Sequence, residues 1–177
     1  MSTVDEARFK KALGQFASGV TVLTVHSDST DHGMTASAFC SLSLDPPLIL
    51  VCIKTGNRCY ELIERAQTFA VNLLAADQKS LSNRFAGGFV TAEGAWCAWP
   101  EGQSHFEDVQ HDRGAYTKAP LLRGALAHLE CRLETIHAGG DHGIFIGRIE
   151  NITLDEDTSA EPLIYFSGQY GTLASSQ

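Results

Sequence analysis

The clearest strand pattern in the sequence lies in residues 33–53, GMTASAFCSLSLDPPLILVCI. Between Met34 and Leu44, apolar residues alternate with residues that carry hydroxyl groups, and Phe39 is the exception. This period of two predicts one strand with an apolar core face and a polar face. The Asp-Pro-Pro of residues 45–47 ends that strand, and the apolar run 48–53 predicts a second, buried strand. Two successive strands without a helix between them are typical of a mainly β protein.

The segments on either side of this stretch are also mostly strands. The remaining apolar patterns predict strands at 20–25, 68–74, 121–136, 143–154 and 162–166, helices before residue 18 and at 59–66 and 77–85, and a long surface excursion over 86–119. Strands do not alternate regularly with helices, which argues against a doubly wound parallel sheet. The predicted fold is therefore mainly β, an antiparallel barrel with peripheral helices, in a single domain over residues 1–177.

Charge and hydropathy exclude two classes of partner. Lys and Arg together number 13 and Asp and Glu 21, so the formal net charge is -8 and the basic stripe of a nucleic-acid-binding protein is not expected. The longest clean apolar run is 48–53, far short of the roughly 20 residues of a membrane span. The opening MSTVDEARFKK has no apolar core of a secretory signal, which predicts a cytoplasmic protein.

Motifs for metal and nucleophile chemistry are missing. The five cysteines are odd in number and form no CxxC, which argues against a disulfide framework and a thiolate zinc site. The seven histidines show neither HxH nor HxxxH spacing, so no metal site is predicted. GxSxG, the Walker loop and GxGxxG are all absent from the sequence.

The hydroxyl face of residues 35–43 is the first candidate site. Its small side chains would let a planar ligand approach the backbone, and the hydroxyl groups could donate hydrogen bonds. The alternative is a strand face that merely meets solvent.

Basic residues provide two candidate anion sites, and a glycine turn provides another candidate. Lys54, Asn57 and Arg58 would gather near a helix N-terminus, and the segment 78–85 brings Lys79, Ser80, Ser82 and Arg84 together. The alternative for both is a solvated surface.

Asp141 and His142 follow two glycines and could meet a ligand closely, although such a histidine is otherwise a turn or surface residue.

Taken together, these segments resemble the short-chain flavin reductases, the reductase partners of two-component flavin-dependent monooxygenases. The resemblance covers nearly the whole chain and rests on FKKALGQFASGVTVLT (9–24), GMTASAFCSLSLDPPLILVCI (33–53), FAVNLLAADQKSLSNRFAG (69–87), GGDHGIFIGRIENI (139–152) and PLIYFSGQYG (162–171). The related pyridoxamine-phosphate-oxidase-like barrels lack the combination of the segments 33–53 and 139–152. One departure is the stretch 88–119, which is longer than the usual connection.

The resemblance implies an FMN-binding split β-barrel, antiparallel and Greek-key-like, that acts as a homodimer. It implies that NADH or NADPH reduces FMN or FAD and that a partner monooxygenase receives the reduced flavin. The choice within each cofactor pair stays open. The strands 121–136 and 145–152 carry apolar residues on both faces, which suits a subunit interface.

The resemblance also implies roles for individual residues. The flavin ring, ribityl chain, tail and phosphate would be bound by Thr35, Ala36, Ser37, Ala38, Ser41, Leu42, Cys52, Asn57, Arg58, Ser82, Asn83, Arg84 and Phe85. The nicotinamide would be bound by Gly140, Asp141, His142 and Tyr170, with His142 positioning the ring rather than donating a proton. No acid, base or nucleophile is assigned, because hydride transfer is the chemistry of the cofactors themselves.

Two other functions stay open at this point. One is an enzyme that holds its flavin tightly and acts as an oxidase or reduces a quinone or a ferric chelate. The other is a non-catalytic module that binds flavin or haem on the same barrel. Oxidation of NAD(P)H in proportion to added flavin distinguishes a free-flavin reductase from both.

Overall fold

The computed structural model describes residues 4–155 and 159–173, and most of its regular structure is β-strand. The helices are α1 Glu6–Leu13, α2 Arg58–Ala66 and α3 Lys79–Phe85, with a 3-10 turn at Ala76–Gln78 before α3. The strands are β1 Ser18–Gly19, β2 Thr21–Ser27, β3 Thr30–Ala36, β4 Phe39–Ser43, β5 Leu48–Lys54, β6 Thr68–Leu73, β7 Gly88–Val90, β8 Trp96–Ala98, β9 His111–Arg113, β10 Pro120–Leu122, β11 Ala127–Gly139, β12 His142–Leu154, β13 Ile164–Phe166 and β14 Gln169–Gly171.

The main sheet has seven strands in the order β3-β2-β6-β11-β12-β5-β4, and every neighbouring pair is antiparallel. Its two edge strands, β3 and β4, are consecutive in the chain and are joined only by Ser37 and Ala38. Ala36 and Phe39 therefore lie within about 11 Å of each other, so the sheet must curl until its edges nearly meet. The fold is the mainly β split barrel that the sequence predicts.

The prediction of one strand over 34–44 was wrong, because the chain changes edges at Ser37 and Ala38. The Ala38 carbonyl accepts a hydrogen bond from the Cys52 amide at 3.0 Å, and β4 then runs back along β5. The apolar positions beyond Ala36 do not form a core face. Leu42 of the edge strand β4 is exposed, and Leu44, which follows that strand, is 92% exposed.

The barrel interior holds the larger of the apolar clusters. Val51 and Ile53 of β5 point into it, whereas Leu50 and Cys52 on the opposite parity are only half-buried, so the predicted strand 48–53 buries one face. Helix α2 covers one end of the barrel with Leu62 and Ile63, which are both buried.

A second apolar cluster lies between the sheet and helix α3. Val22 of β2 and Leu74 meet Phe85 of α3 there, together with Leu122 and Leu163. Strand β2 is therefore covered on both faces, since its neighbouring residue Leu23 belongs to the barrel interior. This packing fixes α3 against the outer face of the barrel.

Two further element boundaries differ from the sequence-based expectation by four residues or more. Helix α1 begins after Asp5, whose side chain accepts a hydrogen bond from the Arg8 amide at 2.7 Å, and ends at Leu13 rather than at Ser18. Ser18 and Gly19 instead form a short strand against β13. The long strand predicted from residue 121 begins at Ala127, because the chain turns at Gly124 with a positive φ of 77°.

The predicted excursion over 86–119 contains three short strands, β7, β8 and β9.

Among residues 4–155 and 159–173, no helix is both long enough and apolar enough to cross a membrane. Within the same residues, no group of three His, Cys, Asp or Glu side chains is placed to hold a metal ion.

Candidate functional site

A chain of hydrogen bonds joins β3, α3 and the β13–β14 hairpin. The Thr35 hydroxyl donates to the Ser82 carbonyl at 2.6 Å, and Ser82 Oγ lies 2.8 Å from the Tyr170 hydroxyl. Ser82 is fully buried, so these bonds hold the three elements in a fixed relation. Sequence positions that are far apart thus meet at one place on the outer face of the barrel.

Two adjoining cavities lie where these elements meet, and we call them together the Ser82 cleft. The smaller, of about 200 Å³, has Thr35, Ser37 and Ser82 on its walls. The larger, of about 430 Å³, has Lys79 and Asn83 on its walls. They share the lining residues Ala86, Tyr165 and Tyr170. The Ser82 cleft therefore combines small side chains, hydroxyl groups, an amide, an ammonium group and two tyrosine rings.

The two tyrosines come from a tight hairpin. Tyr165 and Tyr170 pair directly across β13 and β14, and their ring centroids lie 5.2 Å apart in an edge-to-face arrangement. The turn between them uses Ser167 and Gly168, both at positive φ. The Lys79 ammonium lies 5.6 Å from the centroid of the Tyr170 ring, so the cation and the ring stabilise each other.

The four residues predicted for the phosphate end divide into two pairs. Ser82 and Asn83 line the Ser82 cleft. Arg84 faces away from it: the guanidinium donates to the Glu107 carbonyl at 2.8 Å and lies 4.2 Å from the Trp99 ring centroid. Phe85 is a buried core residue of the second apolar cluster. Lys79 therefore lines the cleft and Arg84 does not, so the cation in the cleft is Lys79.

The residues predicted for the flavin ring and tail are spread along the β3–β4 connection and the end of β5. Ser37 lines the Ser82 cleft, whereas Ala36 is buried and its carbonyl accepts from Thr21 Oγ1 at 2.7 Å. Ala38 is exposed beside Cys52, which is half-buried, and Ser41 and Leu42 are exposed on β4. Roles for these residues stay predictions.

The 54–58 segment predicted as a loop is shorter in the structure. Lys54 ends β5, and Asn57 caps α2 with its side-chain oxygen, which accepts from the Cys59 amide at 2.8 Å. The cap occupies part of the hydrogen-bonding capacity of Asn57. Arg58, the first residue of α2, lines a separate cavity beside His32.

The predicted nicotinamide residues form two groups. Gly140 and Asp141 make the turn between β11 and β12, and His142 pairs with Lys54 across the sheet. His142 Nδ1 lies 2.8 Å from Asp141 Oδ1, and this hydrogen bond lowers the pKa of the exposed Asp141 carboxyl. Tyr170 instead lies in the Ser82 cleft with Lys79. The hairpin turn and the cleft are thus separate features of one chain.

Sequence reasoning missed eight residues that line the Ser82 cleft, namely Val20, Ala86, Val90, Gly94, Trp96, Tyr165, Gly168 and Gln169. The signal for Tyr165 was available, because two tyrosines flank a Ser-Gly turn in PLIYFSGQYG and a tight hairpin sets such residues opposite each other. Val20 and Ala86 carry no chemical signal, and only the packing of α3 on the barrel brings them together.

The residues of the Ser82 cleft fit a flavin. Thr35, Ser37 and Ala86 are small enough to admit a planar ring, and the tyrosine rings offer an aromatic surface. Lys79 and Asn83 provide a cation and a carboxamide, which suit a phosphate. None of these groups is an evident strong acid or base, which agrees with chemistry that resides in a cofactor.

Comparisons with known proteins agree with this geometry. A family model described as "Flavin reductase like domain" matches residues 13–174. The chain is similar to an NADH-dependent flavin reductase of a Rhodococcus species, with 36% identity over 96% of this chain and 88% of that protein. It is also similar to the reductase component of 4-hydroxyphenylacetate 3-monooxygenase from Thermus thermophilus, with 38% identity over 93% of this chain and 95% of that protein.

Two solved structures are also similar to this chain over nearly its whole length. The NADH:FAD oxidoreductase of Streptomyces globisporus has a TM-score of 0.86 and 33% identity, over 98% of this chain and 96% of that one. The flavin reductase component of a bacterial two-component tryptophan halogenase has a TM-score of 0.83 and 38% identity, over 97% of this chain and 100% of that one.

Proposed function

The chain belongs to the flavin reductase like family, and from that premise we propose that it is an NAD(P)H:flavin oxidoreductase. It reduces free FMN or FAD and supplies the reduced flavin to a partner monooxygenase. The observation that carries this proposal is the match to proteins named as reductase components over nearly the whole length of both chains. These relatives favour a free-flavin reductase over a tight flavin oxidase or a non-catalytic binding module.

The part of the protein in this reaction is to bind and orient. A bound flavin supplies the hydride-accepting chemistry, and a nicotinamide supplies the hydride. Thr35 and Ser37 hold the small-residue wall of the Ser82 cleft, against which a planar ring lies. Lys79 and Asn83 bind the phosphate, so that the ammonium group offsets the negative charge of the ligand against a chain of net charge -8.

His142 has a positioning role in this proposal. Its backbone is fixed by pairing with Lys54, and the Asp141 carbonyl accepts from the Thr55 amide at 2.9 Å, so the turn is firmly anchored. The imidazole itself is exposed. An anchored but accessible ring aligns a nicotinamide or its ribose without transferring a proton, and alignment alone has a large effect on rate.

We propose a homodimer in which each active site receives residues from both copies. Exposed apolar side chains support it. Ile152 is 53% and Leu154 is 70% exposed at the end of β12, and Phe9 and Leu13 of α1 are both 56% exposed. The two side chains of each pair share one face of their element, and apolar side chains exposed side by side are typical of a surface that a partner covers. A second copy could bring its β11–β12 turn, with His142, toward the Ser82 cleft.

The proposal also includes one domain over residues 1–177 and a cytoplasmic location. The family model matches residues 13–174, and this long match supports a single domain. The five cysteines are free thiols, the state that a reducing compartment preserves, and NAD(P)H is available there.

The experiment is a steady-state assay of purified protein with the four pairs formed by NADH or NADPH and FMN or FAD. We expect NAD(P)H oxidation that increases with added flavin and saturates. Reactions without flavin and reactions without protein are the controls. A folded protein that oxidises neither nucleotide with either flavin contradicts the proposal.

A further inference from the structure

Two β-hairpins and helix α3 enclose the larger cavity of the Ser82 cleft. The β13–β14 hairpin supplies one wall with Tyr165 and Tyr170, and Lys79 of α3 lies between the hairpins in the lining. The β7–β8 hairpin supplies a second wall with Val90 and Trp96. These two residues pair directly across β7 and β8, so their side chains lie on the same face of the hairpin. We call this surface the β7–β8 wall.

The Trp96 indole is exposed to solvent but packs against backbone on its other side. It is 53% exposed, and it lies against Gly88, which is buried. A Cβ atom on Gly88 would stand 2.5 Å from Cζ2 of the indole and would also meet the Cys97 carbonyl oxygen, so the absence of a side chain lets the ring lie flat on the strand. A large aromatic ring that is held on one side and accessible on the other can bind a planar group.

The β7–β8 wall belongs to the larger cavity alone. Among the described residues that line the smaller cavity, where Thr35 and Ser37 hold the wall for the flavin ring, Val90 and Trp96 do not occur. The two cavities adjoin, because they share residues of α3 and of the β13–β14 hairpin. A group that lies against Trp96 is therefore beside the flavin ring rather than in its place.

The charges of the larger cavity suit an anionic ligand. Lys79 is the charged residue among the described residues that line it, and the Asn83 and Gln169 carboxamides can donate and accept hydrogen bonds. Two carboxylates are close but outside this lining: Asp77 lines an adjoining cavity that shares Lys79, and Glu93 is exposed in the turn of the β7–β8 hairpin. The cavity thus combines a cation, neutral amides and aromatic rings, which suits a nucleotide.

We propose that Trp96 binds the adenine ring of NAD(P)H and so determines specificity for the hydride donor. This rests on the proposed function. The nicotinamide must lie on the flavin ring for hydride transfer, so the adenylate half extends from it into a neighbouring space. The larger cavity is such a space, and its volume of about 430 Å³ lies within the range of small-ligand pockets. Stacking on an aromatic side chain stabilises a bound base without a particular pattern of hydrogen bonds.

The consequence is a preference for a dinucleotide over a mononucleotide as hydride donor. Reduced nicotinamide mononucleotide carries the same reacting ring as NADH but lacks the adenylate half, so it makes no contact with Trp96. The β7–β8 wall belongs to the stretch 88–119, where the chain departs from the usual connection of the flavin reductases. The preference therefore depends on a segment that is specific to this chain.

The test compares kcat/KM of the full chain for its better dinucleotide, NADH or NADPH, with kcat/KM for reduced nicotinamide mononucleotide at saturating FMN. The unmodified protein should prefer the dinucleotide. Trp96→Ala should lower kcat/KM for the dinucleotide about tenfold, mainly through KM, and leave that for the mononucleotide nearly unchanged. Trp96→Phe keeps an aromatic ring and should retain most of the preference. Phe89→Leu, on the opposite face of the same hairpin, is the matched control.

Equal kcat/KM for the two donors on the unmodified protein overturns the inference, and this result needs no variant that folds. Equal losses for both donors in Trp96→Ala overturn it as well. Flavin fluorescence titration of the same variant completes the test, because a large loss of FMN affinity would place the flavin ring, rather than adenine, against Trp96. Failure of the proposed function looks different, since the unmodified protein then oxidises neither donor with either flavin.

Discussion

The Tyr170 hydroxyl lies 2.8 Å from Ser82 Oγ, although 88 residues of chain separate the two. This contact ties the β13–β14 hairpin to helix α3 and sets the Tyr170 ring over the Ser82 cleft. The Ser82 hydroxyl depends on this contact, because Ser82 is fully buried. The shape of the cleft therefore depends on a contact between the middle and the end of the chain.

Removing the Tyr170 ring should weaken flavin binding more than removing its hydroxyl group. Tyr170→Phe keeps the ring and costs about 1 kcal/mol of flavin binding or less, the usual value of one neutral hydrogen bond. Tyr170→Ala also opens the wall that both cavities of the cleft share and should cost more. Flavin fluorescence titration measures both, with Tyr116→Phe on the surface as control. Equal losses in the two variants would mean that the ring does not contact flavin.

Lys79, rather than Arg84, should recognise the flavin phosphate. Lys79→Gln should weaken FMN binding by about 1 kcal/mol, a modest value because the side chain is exposed, and should leave riboflavin nearly unaffected. Arg84→Ala should affect FMN and riboflavin alike, because Arg84 contacts Glu107 and Trp99 instead. A phosphate-selective loss in Arg84→Ala, with none in Lys79→Gln, would restore the sequence-based assignment.

His142→Ala should impair the use of NAD(P)H and leave flavin affinity nearly unchanged. The turn keeps its backbone bonds, so only alignment of the nicotinamide is lost, and we expect about a tenfold fall in kcat/KM for the nucleotide. His137→Ala, an exposed histidine on β11, is the control. A variant that loses flavin affinity but keeps its NAD(P)H kinetics would place His142 beside the flavin instead.

Glu130 should stabilise the fold in a pH-dependent way. Its buried carboxylate accepts from the Tyr116 and Thr117 amides, from Thr117 Oγ1 and from Asn151, and so anchors the end of the excursion. Burial raises the pKa of Glu130, but these donors outweigh it and hold the pKa below its ordinary value of 4.5. The contribution of Glu130 to the free energy of unfolding is therefore fully present above about pH 4.5, the ordinary pKa of a glutamate. It is lost as the pH falls through the lower pKa that Glu130 has in the folded protein.

Glu130→Gln should lower the free energy of unfolding at neutral pH by about 1–3 kcal/mol, because an amide donor replaces an acceptor. Urea denaturation at neutral and acidic pH measures this difference, which should shrink at acidic pH. Glu64→Gln on the surface is the control. A difference that stays constant with pH would rule out the carboxylate as the cause.

The protein should be a dimer that a charge at the end of β12 weakens. Leu154 is 70% exposed, so Leu154→Asp should leave the monomer fold intact while placing a charge in the proposed interface. Light scattering at micromolar concentration should give a dimer for the unmodified protein and a lower mass for the variant. A monomeric unmodified protein would contradict the shared active site.

Local sequence patterns predicted most of the strands, but they did not predict features that depend on contacts between distant parts of the chain. Residues 34–44 alternate in the way one strand would, but parity cannot show that the chain moves to the opposite edge of the sheet at Ser37. Arg84 follows Ser82 and Asn83 in sequence, yet its direction is set by Trp99 and Glu107, fifteen or more residues further on. The position of Tyr170 in the Ser82 cleft could not be predicted without knowing which helix the β13–β14 hairpin packs against.

Anaerobic rapid mixing of the protein and oxidised FAD or FMN with NADH or NADPH measures flavin reduction itself. The visible absorption of the oxidised flavin reports its reduction, and oxygen cannot reverse the reaction. We expect the absorption to fall much faster than in the protein-free mixture and in proportion to the NAD(P)H consumed. A rate equal to that of the protein-free mixture, with folded protein and all four cofactor pairs, would contradict it.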